Sequence, residues 1–407
     1  MEAVKMQQGS EQRFALHSRR FRIFMAGSMV TRTGDWMDLV ALNWAVLQMT
    51  DSPFYLGLVN ACRLVPVFLL SIPAGVLADR FDRRKLLLMI QTGMMLLTFC
   101  LAYVIESQQL FGLFFIIVTL RAVLAAMDSP IRNAFFPCLV PVSSLTSAIA
   151  INTTAIHLSR MMGPALAGIL LGFLELDVLF YCNAWGTLAV IFSLLLLRSV
   201  PLQEKIMPKK VQAPIREASE YVKSTPAVQS LLLLAIVPMV FGFPYTTMLP
   251  LFARDLLQLG SEGVGLLLSV SSAGALLGSL YLSAGREMKE VGKVLIYSIL
   301  GFGLSLLLFI IVDSVMVAAF ALFLAGLTSQ VYRTLSRISI QLQVPDRLRG
   351  RILSIALMDR GFIPLGALLI GAVASFAGVF WAGVWMGGGC IAATLLVVVR
   401  RPQIWRI

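Results

Sequence analysis

The sequence predicts an all-α polytopic membrane protein, with twelve transmembrane helices in two six-helix bundles and both termini cytoplasmic. Three observations predict it. The 407 residues are 58% hydrophobic and only 13% charged, with a mean hydropathy of +0.86, whereas a soluble domain is about half apolar and about a quarter charged. Too few polar side chains remain to cover a soluble globule of this size. Apolar runs of about 20 residues, the length a helix needs to cross about 30 Å of hydrocarbon, recur along the chain. Basic residues gather in every second connection between those runs, as the positive-inside rule requires.

The spans follow in order. The first lies near 21–47, after the basic N-tail (Arg13, Arg19, Arg20, Arg22), and leads to Asp51. The second, 55–78, ends at Arg80, Arg83, Arg84 and Lys85, and the third, 86–105, ends at Glu106. The fourth, 110–130, ends at Arg132, and the fifth, 147–173, leads to Glu175 and Asp177. The sixth, 177–197, runs into Lys205, Lys209, Lys210, Arg216 and Lys223. The seventh, 227–252, leads to Asp255 and Glu262, with Arg254 the only basic residue on the acidic side. The eighth, 263–284, ends in Arg286, Lys289 and Lys293, and the ninth, 293–312, meets Asp313. The tenth, 315–341, precedes Arg347, Arg349 and Arg351. The eleventh and twelfth, 352–376 and 379–399, close the set before Arg400, Arg401 and Arg406. The alternation places both termini on one side, the cytoplasm, and makes the number of spans even.

Residues 199–226 interrupt the pattern. Pro201, Pro208 and Pro214 oppose a continuous helix, and Ile215–Val222 fits a short amphipathic helix with Ile215, Ala218, Tyr221 and Val222 on one side. The domains read from this are 1–198, a linker 199–226 and 227–407. The halves share faint similarity: "RNAFFPCLVP" before span 5 parallels "RISIQLQVP" before span 11, setting Pro141 opposite Pro345. Two six-helix halves with a midplane site between them are one known transporter plan.

The net charge of +12 raises nucleic-acid binding, but such a site needs basic residues on one face without bilayer-length apolar runs between them. Here the charges are small clusters between spans. The five cysteines (Cys62, Cys100, Cys138, Cys182, Cys390) stand singly, without CxxC spacing, so no zinc site or disulfide framework is expected. No cleavable signal peptide is read at the N-terminus, because the first apolar run is too long for one. With two histidines and no clustered carboxylates, an enzyme lacks equipment. The absence of a phosphate-cradling Gly-rich loop excludes an ATP-driven pump within the chain.

The connection after span 2 reads "GVLADRFDRRKLLL", Gly75 to Leu88. Gly75 admits a close neighbouring helix, and Asp79 can face a helix N-terminus. Arg80, Arg83, Arg84 and Lys85 pin the loop to the cytoplasmic side. This resembles the signature between helices 2 and 3 of the major facilitator superfamily, Gly-x-x-x-Asp-Arg-x-Gly-Arg-Arg/Lys, with Asp82 where that superfamily usually has Gly. The resemblance implies a cytoplasmic latch in which Asp79 and Arg83 form a charge relay with Asp128. A second motif, "SRMMGPALAG" with Gly163, Pro164 and Gly168, resembles the helix 5 element of the superfamily's export branches. Close helix packing alone is the other reading of that motif. "TGDWMDLVALNW", "MDSPIRNAFFPCLVP", "REASEYVKSTPAVQSLLLL" and "VPDRLRGRILSI" look like the branch holding enterobactin exporters and macrolide-efflux proteins.

Charged side chains at bilayer depth are costly and therefore functional candidates. Arg32, Asp35 and Asp38, three residues apart, share one stripe of span 1. Two readings stand: an internal Arg32–Asp35 pair that orients the helix, or a coupling carboxylate or cation contact at Asp35 or Asp38. Asp359 and Arg360 are adjacent in span 11 and point to different faces, so they do not pair directly. Arg360 is a candidate for an anionic cargo. Arg121 and Arg333 read as helix-orienting, and Arg337 falls near a cytoplasmic end. Phe241, Phe243, Pro244 and Tyr245 are candidates for an aromatic cavity wall.

The resemblance implies secondary export of small amphipathic, drug- or siderophore-like molecules across a bacterial inner membrane, by proton antiport and alternating access. Its expected partners are the substrate, protons and membrane lipids, with no cofactor or metal and a monomeric state. Lipid or lysolipid transport by the same fold is the alternative.

Overall fold

The computed structural model describes residues 14–107, 111–197, 215–283, 290–345, 348, 352, 355–356 and 358–406. For some helical residues, Gly75, Asp79, Arg80 and Arg360 among them, only the backbone is described. Every regular element among these residues is helical. The first six are α1 (Arg19–Thr50), α2 (Pro53–Arg80), α3 (Arg83–Ser107), α4 (Phe111–Phe135), α5 (Leu145–Leu171) and α6 (Leu176–Leu196). The linker helix is α7 (Ile215–Ser224), followed by α8 (Pro226–Val237) and α9 (Tyr245–Asp255). Then come α10 (Ser261–Ser283), α11 (Val291–Ile311), α12 (Val315–Gln343), α13 (Phe362–Ala377) and α14 (Val379–Arg400).

Nine segments of the described residues are long and apolar enough to cross a bilayer: α3 to α6, α8 with α9, α10 to α12, and α14. α2 and α13 occupy the positions of two further expected spans. α1 occupies that of the first, and its three interior charges depress its hydropathy. Large exposed side chains such as Met89, Trp185, Phe192 and Phe376 fit a surface whose solvent is lipid.

Local chemistry explains the breaks. α1 ends at Asp51, whose φ of 47° reverses the chain. There Thr50 Oγ1 accepts from Ser52 N at 3.3 Å, and Pro53, which lacks an N–H, opens α2. Between α2 and α3, Asp82 Oδ1 accepts from the backbone N–H groups of Arg84 (2.9 Å) and Lys85 (3.2 Å). Asp82 is the N-cap of α3, which accounts for an aspartate where the resembling signature carries glycine. α13 passes to α14 through Gly378, whose φ of +92° suits glycine alone.

One expected span is not a single helix. The sequence reads 227–252 as continuous, but α8 and α9 are joined by a π turn, Pro238–Gly242, in which Phe243 N donates to Pro238 O at 2.7 Å. Pro238 and Pro244 have no amide hydrogen, so each drops one bond from the α ladder where the π turn forms.

Packing divides the chain into two compact units, one of residues 1–39, 69–163 and 174–207, the other of 40–68, 164–173 and 208–407. α1, α2 and α5 contribute to both. In the first unit Phe21, Phe24, Leu87, Ile90, Ile131, Phe135, Val190 and Leu194 form a buried core, with Phe24 edge-on to Phe135 at 5.2 Å. In the second, α10 and α12 meet backbone to backbone. A Cβ on Gly278 would lie 2.7 Å from Leu327 O, and side chains on Gly274 and Gly326 would strike Phe323 O and Ser271 O. Gly274 and Gly278 form a Gly-x-x-x-Gly face, the small-residue device by which helices associate in lipid, where no hydrophobic force drives them together.

Candidate functional site

α1 is the spine of the polar centre in the first unit, because its stripe of charges must find partners inside a helix bundle. Asp38 Oδ1 accepts from Arg121 of α4 at 3.0 Å, with the two side chains only 5% and 10% exposed. Asn183 of α6 adds a longer bond to the same oxygen at 3.4 Å. A second pair lies further along α4. Arg132 grips Asp128 bidentately (Nε–Oδ2 2.9 Å, NH2–Oδ1 3.0 Å) and donates to Ser28 of α1 at 2.9 Å. Gln91 of α3 donates to Asp128 Oδ1 at 2.7 Å, and Phe24 stacks under the Arg132 guanidinium at 5.9 Å.

α5 holds the opposite flank of α1. Arg32 donates to Asn152 Oδ1 at 2.9 Å, Thr33 to Ser159 Oγ at 3.2 Å, and Arg160 lies 5.5 Å over the Trp36 ring. Gly163 lets the helices touch, since its Cβ would sit 2.8 Å from Thr33 O. The Arg32–Asp35 pair read from spacing is therefore not the arrangement found: Arg32 reaches across to Asn152. Asp35 is half-buried, and its carboxylate makes no hydrogen bond or ion pair among the described residues. It lies within electrostatic reach of Asp128, Asp38, Arg132 and Arg121. Within this coupled set, Arg32, Arg121 and Arg132 balance Asp35, Asp38 and Asp128 when all are ionised, and Asp35 is the acid without a direct partner among the described residues.

The remaining expected residues are spread out. Arg83 donates to Ala134 O (3.0 Å) and contacts Cys138 Sγ (3.6 Å) at the end of α4, while Arg84 Nε donates to Leu194 O (2.6 Å) at the end of α6. Both close helix C-termini whose carbonyls lack intrahelical donors. Asp128 is taken by Arg132 and Gln91, not by Arg83. The side chains of Gly75, Asp79, Arg80 and Arg360 lie outside the described residues. In the second unit Gly168 of α5 faces Gly265 of α10, where its Cβ would lie 3.0 Å from the Gly265 Cα. Asp359 sits in a 3-10 turn, Met358–Gly361, and lines a recess with Tyr332, Arg333 and Arg337 of α12. Of the expected aromatic wall, Phe243 stacks under Arg333 at 5.2 Å, and Tyr245 is buried on Ser271 at 2.6 Å.

Sequence reasoning missed Arg132, counted as a loop charge though it is buried in α4, and the Asp38–Arg121 pair. One signal was available: a lone arginine inside an apolar span demands a carboxylate, which matches Arg121 to the stripe on α1.

Residues 13–404 match the family described as transmembrane secretion effectors. The staphyloferrin A transporter of Staphylococcus aureus (strain NCTC 8325 / PS 47) is 31% identical over 382 residues, covering 92% of this chain and 94% of that protein. An enterobactin exporter of Salmonella typhi is 24% identical over 319 residues, 77% of this chain and 75% of its own. Among solved structures, a bacterial homologue of the iron transporter ferroportin in an inward-facing state superposes with a TM-score of 0.71 at 18% identity, covering 96% and 99% of the two chains. A helical membrane bundle with charges paired across its interior, matched over nearly its whole length, belongs to the transmembrane secretion effector family of the major facilitator superfamily, as a multi-pass transport protein and not an enzyme.

Proposed function

We propose that the chain exports small amphipathic molecules of siderophore or drug type across a bacterial inner membrane, in exchange for protons, by alternating access of two six-helix halves (1–198 and 227–407). In this reading it crosses the membrane twelve times with both ends cytoplasmic, works as a monomer and uses no cofactor. The named activities of the relatives supply the cargo class.

The observation that carries the coupling is Asp35. Asp38 and Asp128 are closed by Arg121 and Arg132, whereas Asp35 has no direct partner among the described residues. Protonating it leaves the cluster with one uncompensated positive charge. That converts proton binding into a change of electrostatic state on the charged stripe of α1. Arg121 Nε, Asn183 Oδ1 and Gln91 Oε1 are buried without hydrogen bonds among the described residues, a reserve for regrouping when that charge changes.

The test is transport in inverted membrane vesicles across a panel of siderophores, macrolides and lysolipids, with and without an imposed proton gradient. Gradient-stimulated uptake of a siderophore- or macrolide-type compound supports the reading. Movement of lysolipid alone transfers the chain to the lipid-transport alternative, and transport indifferent to the gradient removes proton exchange.

A further inference from the structure

The second unit holds a polar recess that none of the coupling chemistry uses. It is walled by α8 and the π turn after it, by α12 and by the turn carrying Asp359, and it is partly open at its mouth. Polar residues from two consecutive turns of α12 face it: Tyr332, Arg333, Ser336 and Arg337. Tyr332 is fixed by a bond from its hydroxyl to Ala235 O at 2.8 Å, and Arg333 by its stacking on Phe243 at 5.2 Å. Arg337, one turn beyond, makes no hydrogen bond or ion pair among the described residues, and neither does the Ser336 hydroxyl. Among the described lining residues two guanidiniums, Arg333 and Arg337, face one carboxylate, Asp359. Its remaining wall is apolar, with Met239 and Ile340.

We propose that this recess is a carboxylate-binding subsite for organic-acid cargo, with Arg337 and Ser336 as its donors. A guanidinium presents parallel N–H groups whose spacing matches a carboxylate, and an ammonium or neutral cargo finds no such fork here. Arg333, held over Phe243, supplies the background charge, and Met239 and Ile340 receive the adjoining carbon skeleton. The assignment rests on the export reading for its cargo, but its binding step is measurable without transport.

The experiment uses the full chain in nanodiscs, with citrate as a carboxylate probe and its neutral trimethyl ester as control, in phosphatidylcholine alone and with phosphatidylglycerol added. The wild-type chain is expected to bind citrate and not the ester. Arg337→Gln is expected to weaken citrate about tenfold or more, as loss of a charge-assisted bond does, with partial recovery in Arg337→Lys. Ser336→Ala, a milder change, is expected to weaken it about threefold and serves if Arg337→Gln does not fold. Equal citrate affinity in all variants overturns the subsite, as does wild-type protein that binds no citrate. Citrate displaced by phosphatidylglycerol in an Arg337-dependent manner assigns the recess to a lipid headgroup and overturns it too. Wild-type vesicles that export nothing, alongside Arg337-dependent citrate binding, overturn the export reading and leave the subsite standing.

Discussion

The aspartates of α1 differ in what their loss should do. Asp38 and Arg121 are buried together, so removing one partner strands the other charge away from water. Asp38→Ala is expected to lower stability by about 3–5 kcal/mol, read as a fall in thermal unfolding temperature in detergent. Replacing both partners, Asp38→Leu with Arg121→Met, should recover most of it, because a buried pair contributes little beyond an apolar pair of similar volume. Asp35→Asn is isosteric and breaks no direct bond among the described residues, so unfolding should change little. Uphill, gradient-driven export should disappear while downhill exchange persists. Wild-type uphill export by Asp35→Asn would return this residue to a structural role. The stripe of charges was legible in the sequence; its partners were not. Spacing along one helix shows which residues share a face, but Arg121 lies 83 positions from Asp38, and nothing local says which helix stands opposite.

Helix breaks and helix contacts follow different chemistry and should respond differently to substitution. Asp82 caps α3 with two backbone bonds. Asp82→Ala is therefore expected to cost about 1 kcal/mol, and Asp82→Gly only a few tenths, in the same unfolding measurement. Equal unfolding of Asp82→Ala and wild type would deny the cap. At the α10–α12 contact the backbones already touch, so Gly274→Val must separate them, at about 1–3 kcal/mol. Gly112→Val should be nearly silent, because no atom lies within 4 Å of a Cβ built there. Most helices were legible as apolar runs, since hydropathy reports length against a bilayer directly. The π turn was less so. Pro238 and Pro244 were visible, but apolar composition continues through them, and hydropathy does not register a lost amide hydrogen. The amphipathic α7 was read from its pattern, and Tyr221 there anchors to Gln343 O at 2.9 Å.

At the scale of the whole chain the proposed topology is the simplest claim to test. Reporter fusions after Arg80, Lys210, Arg286 and Arg401 should be cytoplasmic, and fusions near Asp51, Glu106 and Asp313 periplasmic. One robust reversal breaks the twelve-crossing arrangement. An exposed ion pair, Arg254 with Asp51 at 2.6 Å, joins the turn after α1 to the end of α9. Its aspartate is largely exposed, so Asp51→Asn should shift stability by under about 1 kcal/mol.

The charge stripe on α1 also bears on how the chain is made. A charged residue at the centre of a helix costs about 2.5–3.5 kcal/mol on insertion by the translocon, and α1 carries Arg32, Asp35 and Asp38. Its compensating partners are synthesised later, Arg121 after two more apolar helices and Asn152 after three. α1 should therefore linger at the exit of the insertion machinery, and settle in lipid once α4 and α5 are available to receive it. Nascent chains truncated near residue 107 should leave α1 extractable by alkali, whereas chains extended past residue 171 should hold it fast. Adding Arg121→Leu to the longer chain should loosen it again, making biogenesis, not only transport, a readout of the Asp38–Arg121 pair.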